Sequence, residues 1–78
     1  MTPITLMLVE DFPIVREALV DAFGKDSRTS LLHAAPDARA LMDAMSVQAP
    51  QVVLVDLHLP DTDGIELVRR IHRIHHAT

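Results

Sequence analysis

The 78-residue sequence contains no cysteine, no tryptophan and no tyrosine, and only two phenylalanines. Without cysteine the chain has no disulfide framework and no thiolate metal site, which fits the reducing cytoplasm. With so few aromatic side chains, the core must be built from aliphatic residues and methionine. The N-terminus lacks the basic start of a signal peptide, and no apolar run approaches the roughly 20 residues that span a membrane. These absences predict a soluble cytoplasmic protein without a membrane segment.

The composition limits the possible functions further. The formal net charge is −4, whereas a domain that binds nucleic acid along its surface is normally basic. Apolar residues make up 49% of the chain, which is too many for a disordered tail. The length allows one small domain over residues 1–78.

The apolar pattern alternates between strand and helix periods, which predicts the order β-α-β-α-β-α. The predicted strands are 4–9, 30–34 and 51–57. The predicted helices are 13–23, a segment opened by Asp37 with Met42 and Met45 on its apolar face, and 64–74. For the first helix, Asp11 is a candidate N-cap and Gly24 a candidate C-cap. Short connections between these elements imply a parallel sheet with right-handed crossovers.

The third strand carries the most informative feature. Four consecutive apolar residues, Val52 to Val55, run directly into Asp56. Such a run is typical of a strand covered on both faces, where an unpaired carboxylate would cost several kcal/mol or more. Asp56 should therefore emerge at the carboxyl end of the strand, which is where open α/β sheets bind ligands.

A second acidic group, Glu10 and Asp11, follows the first strand. If the first and third strands are neighbours, both acids lie in one pocket with Asp56. Three adjacent carboxylates repel one another unless a cation is present, and an open site made only of oxygen ligands suits Mg²⁺. A carboxylate beside Mg²⁺ can act as the nucleophile in phosphoryl transfer.

These residues resemble the N-terminal part of the receiver domains of two-component response regulators. The matching motifs, in order, are Glu10-Asp11, Asp56, Leu59-Pro60 and Asp63-Gly64. The segment 11–19 is most similar to the subgroup that carries a C-terminal helix-turn-helix output domain. The resemblance implies a partial flavodoxin-like, doubly wound α/β fold with strands four and five absent, and therefore a truncated receiver domain without an output domain.

The resemblance also implies the roles of individual residues. Asp56 would accept a phosphoryl group from a histidine kinase or a phosphotransfer protein. Asp11, Asp56 and the backbone carbonyl of His58 would bind Mg²⁺, and Glu10 would contact the ion through water. The chain would not be an enzyme in the usual sense, and the full-length protein would regulate transcription, contacting DNA only through the absent output domain.

The groups that read out phosphorylation in this family, a Ser/Thr and a Lys from strands four and five, are not matched. The only lysine, Lys25, follows the first helix and cannot take that role. A second hypothesis is therefore an interaction module that self-associates through the exposed edge of the third strand, without phosphotransfer. A third, a Mg²⁺-dependent phosphohydrolase, needs a second acid two residues after the nucleophile, where the chain has His58.

Some of these residues also have simpler interpretations. Glu10 and Asp11 could form a solvated loop, and Asp61 and Asp63 are better explained as loop and helix-cap residues than as ligands. The basic C-terminal segment includes His72, His75 and His76, whose helical spacing can bind Zn²⁺ or Ni²⁺. For this segment we favour solvated cations that complement a helix C-terminus.

Overall fold

A computed structural model describes residues 2–78, which form three strands and three helices in strict alternation. The elements are β1 (Ile4–Val9), α1 (Pro13–Gly24), β2 (Thr29–Ala35), α2 (Ala38–Val47), β3 (Val52–Val55) and α3 (Gly64–Ile74). The strands form one parallel sheet in the order β2-β1-β3, which confirms the predicted partial doubly wound fold. No helix in the described part of the chain is long and apolar enough to cross a bilayer.

The third strand, Val52–Val55, is shorter than the predicted range 51–57 by one residue at its start and two at its end. At the start, the Gln51 N–H still donates to the Thr5 carbonyl at 3.1 Å. The side chain of Gln51 accepts a hydrogen bond from the Thr5 backbone N–H at 2.9 Å, in a position where a strand would use its carbonyl. At the other end, the Asp56 N–H still donates to the Val9 carbonyl at 3.2 Å. Asp56 was predicted to lie within the third strand near its carboxyl end; it instead stands just beyond that end, where its backbone is hydrogen-bonded to β1.

Both caps predicted for α1 are wrong. The N-cap is Phe12, which has no side-chain cap, and Asp11 does not serve this function. The Phe12 N–H instead donates to Glu10 Oε1 at 3.2 Å. At the other end Gly24 is the last helical residue and Lys25 follows with right-handed backbone angles, so the helix does not need a glycine with positive φ.

The caps predicted for the other two helices are confirmed. Asp37 accepts a hydrogen bond from the Ala40 N–H at 2.8 Å, and Asp63 accepts one from the Glu66 N–H at 2.7 Å. Each carboxylate satisfies a backbone donor that the first turn leaves without a partner.

A further carboxylate, Asp61, joins the β3–α3 loop to the start of α2. Its two oxygens accept hydrogen bonds from the backbone N–H groups of Ala38 and Arg39, both at 3.0 Å. Asp61 is thus a helix-capping residue, as expected, but the helix that it caps lies 23 residues earlier in the chain. The loop after β3 is therefore held at a second point, away from its own helix.

The two faces of the sheet differ in how well they are covered. One face packs against α2 and α3 and contains the main core, whose buried members are Met7, Val9, Ala35, Ala38, Leu41, Met45, Leu67 and Ile71. Met42 is partly buried against the same core. On the opposite face α1 packs mainly against β2, so Val52 and Leu54 of β3 remain 42% and 39% exposed. The prediction that β3 is covered on both faces is therefore wrong for these residues.

Replacement of Gly64 by alanine should destabilise the fold. A β-carbon at Gly64 would clash with the backbone carbonyl oxygen of Asp56 and would lie 2.8 Å from the Leu57 α-carbon. Since neither backbone atom can move without shifting the loop, we expect Gly64→Ala to lower the free energy of unfolding by about 1–3 kcal/mol. Urea unfolding followed by far-ultraviolet circular dichroism measures this change.

The second glycine of the chain provides a matched control. A β-carbon at Gly24 meets no atom within 4 Å, and the residue is helical. Gly24→Ala should therefore raise the free energy of unfolding by about 0.5–1 kcal/mol, because alanine is the better helix former. Equal destabilisation by the two substitutions would contradict the close contact inferred at Gly64.

The carboxyl group of Asp61 should make stability depend on acidity. Desolvation is the largest single influence and raises its pKa, but the Ala38 and Arg39 N–H groups and the charge of Arg70 together lower the pKa below the ordinary value of 3.8. Because the pKa of Asp61 is lower in the folded state than in the unfolded state, the ionised carboxylate stabilises the fold at pH values above its unfolded-state pKa. This stabilisation is lost as the pH falls through the folded-state pKa. Asp61→Asn should therefore flatten part of the decline in thermal stability below about pH 4. An unchanged decline would show that the hydrogen bonds from α2 do not form in solution.

Candidate functional site

Three carboxylates lie together where two neighbouring strands end. The parallel register places Val9 of β1 beside Val55 of β3, so the residues that follow these strands emerge at the same edge of the sheet. Oxygen atoms of Glu10, Asp11 and Asp56 all lie within 4.8 Å of one another, and the three residues are half-buried. The structure thus brings together the three acidic residues that the sequence analysis selected.

Backbone hydrogen bonds fix the position of this acidic cluster, Glu10, Asp11 and Asp56. The Glu10 N–H donates to the carbonyl of Ala35 in β2 at 3.0 Å, and the Asp56 N–H donates to Val9. One oxygen of Asp56, Oδ1, accepts a hydrogen bond from the His58 N–H at 3.2 Å. The backbone of His58 is therefore close to the cluster, while its side chain is exposed. The predicted role of the His58 carbonyl as a metal ligand stays a prediction.

The negative charges of the acidic cluster are not paired with positively charged side chains among the described residues. The ion pairs found among residues 2–78 involve other carboxylates, those of Asp21, Asp26 and Glu66. Lys25, for example, pairs with Asp21 at 3.0 Å, so the only lysine does not neutralise the cluster. Three neighbouring carboxylates without a paired side-chain cation, all offering oxygen, suit a hard divalent ion such as Mg²⁺ that keeps part of its water shell.

Arg16 contributes to this region in a way that the sequence analysis missed. From the first turns of α1 its Nη1 atom donates to the Glu10 carbonyl at 2.8 Å and to the Asp11 carbonyl at 3.4 Å. The guanidinium group thus binds the backbone of the β1–α1 loop and leaves the carboxylates of Glu10 and Asp11 available. The only sequence signal was a lone arginine six residues after Glu10, which does not reveal the direction of its side chain.

The sequence candidates outside the cluster have structural explanations. Asp61 and Asp63 cap α2 and α3, respectively. His72 lies in the last turn of α3 and His75 caps its end, where positive charge is favourable. Within the described part of the chain, the acidic cluster is the only group of three or more potential metal ligands that lie close together, so the histidines do not form a comparable site.

Comparisons with known proteins agree with this geometry. The sequence model for the response regulator receiver domain matches residues 6–78. The chain is 30% identical over 78 residues to the Fimbriae Z protein of Salmonella typhimurium. The aligned region covers all of this chain but only 37% of that protein. It is 32% identical over 73 residues to a protein-glutamate methylesterase/protein-glutamine glutaminase of Anaeromyxobacter dehalogenans, covering 94% of this chain and 20% of that one.

A solved structure shows the same fold. A two-component response regulator of the LuxR family from Aurantimonas sp. SI85-9A1 superimposes with a TM-score of 0.88 at 31% identity, over 99% of this chain and 55% of that chain. The chain thus spans little more than half of this structure, and well under half of the two curated relatives. On the match of the family model to nearly the whole sequence, the chain belongs to the response regulator receiver domain family.

Proposed function

We propose that Asp56 is a phosphoryl acceptor that works together with Mg²⁺ in a two-component signalling pathway. The observation that carries the proposal is the placement of the Asp56 carboxylate within 4.8 Å of carboxylate oxygens of Glu10 and Asp11. The carboxylate stands at the carboxyl end of a parallel strand, where open α/β sheets bind ligands.

In this proposal each residue of the site has a separate role. Asp11, Asp56 and the His58 carbonyl would hold Mg²⁺ directly, and Glu10 would contact it through water. When bound, the ion neutralises charge on the phosphoryl oxygens. The His58 N–H holds Oδ1 of Asp56, which leaves Oδ2 to attack phosphorus. An oxygen–phosphorus bond forms, the nitrogen–phosphorus bond of a phosphohistidine breaks, and its imidazole leaves with the electron pair.

The donor in this scheme is a histidine kinase or a phosphotransfer protein, and the location is the cytoplasm. The chain accepts the phosphoryl group and does not turn over a separate substrate, so we infer that these residues are not an enzyme by themselves. We further infer that the complete protein regulates transcription through a DNA-binding output domain outside these 78 residues. Similarity to a LuxR-family response regulator supports this inference.

Mg²⁺ binding should depend on the carboxylate of Asp56. We expect the wild-type chain to bind Mg²⁺ weakly and Asp56→Asn to weaken the binding by about tenfold or more, since changes that only support a metal ligand already cost 10–100-fold. Isothermal titration calorimetry measures both affinities. It suits this protein because the chain has no tryptophan or tyrosine whose fluorescence could report binding.

A control for this experiment is Asp63→Asn. It removes one negative charge from the same loop but preserves the N-cap of α3, because asparagine caps helices as well as aspartate does. This variant should bind Mg²⁺ with nearly wild-type affinity. Equal affinities of wild type and Asp56→Asn would remove Asp56 from the site.

A phosphoryl group on this chain should be short-lived. With acetyl phosphate and Mg²⁺ we expect only a small, transient phosphorylated fraction at Asp56. The only lysine, Lys25, follows the C-terminal end of α1 and pairs there with Asp21, so it does not stabilise the product. Intact-mass spectrometry during and after incubation measures that fraction, with Asp56→Asn as the unreactive control. A stoichiometric product that persists after removal of the donor would contradict this prediction.

A further inference from the structure

The β2–α2 junction, residues 35–39, is hydrogen-bonded to both loops that carry the acidic cluster. The Glu10 N–H donates to the Ala35 carbonyl at 3.0 Å, which attaches the β1–α1 loop to the junction. The first two N–H groups of α2 donate to the two carboxylate oxygens of Asp61, both at 3.0 Å, which attaches the β3–α3 loop. The junction supplies no member of the cluster, but it connects the two loops that do.

The β2–α2 junction is a firm support because two of its side chains lie in the core. Ala35 and Ala38 are both buried members of the main core. The Asp37 carboxylate accepts a hydrogen bond from the Ala40 N–H at 2.8 Å. Together with Asp61 it gives partners to three backbone N–H groups that the first turn of α2 would otherwise leave unsatisfied. A loop attached to this junction is therefore attached to the core.

The β3–α3 loop is closed at its base. His58 and Asp63 form an isolated antiparallel bridge, and Asp61 lies in the turn that this bridge closes. Because the base is cross-linked in this way, a movement of the turn is passed on to His58. The His58 N–H holds Oδ1 of Asp56 at 3.2 Å, so the position of the turn affects the acidic cluster.

A second contact holds the same loop, but it is of a different kind. Leu59 is partly buried against the main core. Apolar burial is non-directional, so Leu59 holds the loop against the core without fixing its orientation. Hydrogen bonds depend on angle as well as distance, and Asp61 makes two of them to adjacent N–H groups. The orientation of the loop therefore depends on Asp61.

We propose that Asp61 is a positioning residue for Mg²⁺ binding. It holds the β3–α3 loop to the β2–α2 junction, so that the Asp56 side of the acidic cluster keeps a fixed distance from the Glu10 side. Asp61 itself contacts neither the ion nor a phosphoryl group. This role rests on the proposed function, in which the acidic cluster binds Mg²⁺.

Isothermal titration of Mg²⁺ into two alanine variants separates this role from simple capping of α2. Asp61→Ala should weaken binding by roughly tenfold, at the low end of the 10–100-fold cost of losing a group that supports a metal ligand. Asp37→Ala is the matched control, because it also removes one carboxylate and one negative charge from the start of α2 but leaves the β3–α3 loop attached. It should bind Mg²⁺ with nearly wild-type affinity.

A conservative variant separates the hydrogen bonds from the charge. Asp61→Asn removes the same charge as Asp61→Ala but keeps one oxygen that can accept a hydrogen bond, so its Mg²⁺ affinity should lie between those of Asp61→Ala and wild type. If circular dichroism shows that Asp61→Ala is unfolded, Asp61→Asn is compared with Asp63→Asn, which removes one charge from the same loop. Asp61→Asn should still bind Mg²⁺ more weakly.

Nuclear magnetic resonance relaxation of the metal-free protein tests the loop directly. In Asp61→Ala the backbone order parameters of residues 57–62 should fall from about 0.85, typical of rigid backbone, toward about 0.6; in Asp37→Ala they should not change. Unchanged order parameters in Asp61→Ala, or equal Mg²⁺ affinities of the two alanine variants, would overturn the positioning role alone.

The proposed function fails by a different result. A wild-type chain that does not bind Mg²⁺ would overturn the proposed function and the positioning role with it. Loss of binding in Asp56→Asn combined with unchanged binding in Asp61→Ala would leave the proposed function standing and remove Asp61 from it.

Discussion

The parallel pairing of β1 with both of its neighbours is the constraint on which the rest of the structure depends. The last four residues of β1, Leu6 to Val9, are only 1–3% exposed, because strands flank them on both sides and helices cover both faces. The register aligns Val9 with Ala35 and with Val55. Since the strand ends are aligned in this way, acidic residues that are 45 positions apart in the sequence meet at one edge of the sheet.

The loop after β3 is held from two directions, and this limits the positions available to Asp56 and His58. Gly64 packs so closely on the Asp56 backbone that a β-carbon has no space, which fixes the start of α3. Asp61 holds the middle of the loop to the start of α2 through two hydrogen bonds. The proposed roles of Asp56 as nucleophile and of the His58 carbonyl as metal ligand require this kind of support, because reactive geometry tolerates little displacement. On the other side of the site, Arg16 holds the β1–α1 loop in a comparable way.

The two faces of the sheet are covered unequally, and this decides which residues of β3 are exposed. α2 and α3 cover one face and form the core, whereas α1 lies toward β2 and leaves part of β3 exposed on the other. β3 ends directly before Asp56, so the strand with the least covered residues is also the one that leads into the acidic cluster.

The sequence by itself determined the features that depend on neighbouring residues. Short apolar runs and helical apolar patterns located the elements, and the caps at Asp37 and Asp63 set where α2 and α3 begin. Asp56 was identified because a charge ends an apolar strand. Only the tertiary structure decided that Asp61 caps a helix 23 residues away, that Arg16 turns back to the β1–α1 loop, and that Leu54 is partly exposed. These features depend on where α1 and α2 pack, and local residue patterns carry no information about that placement.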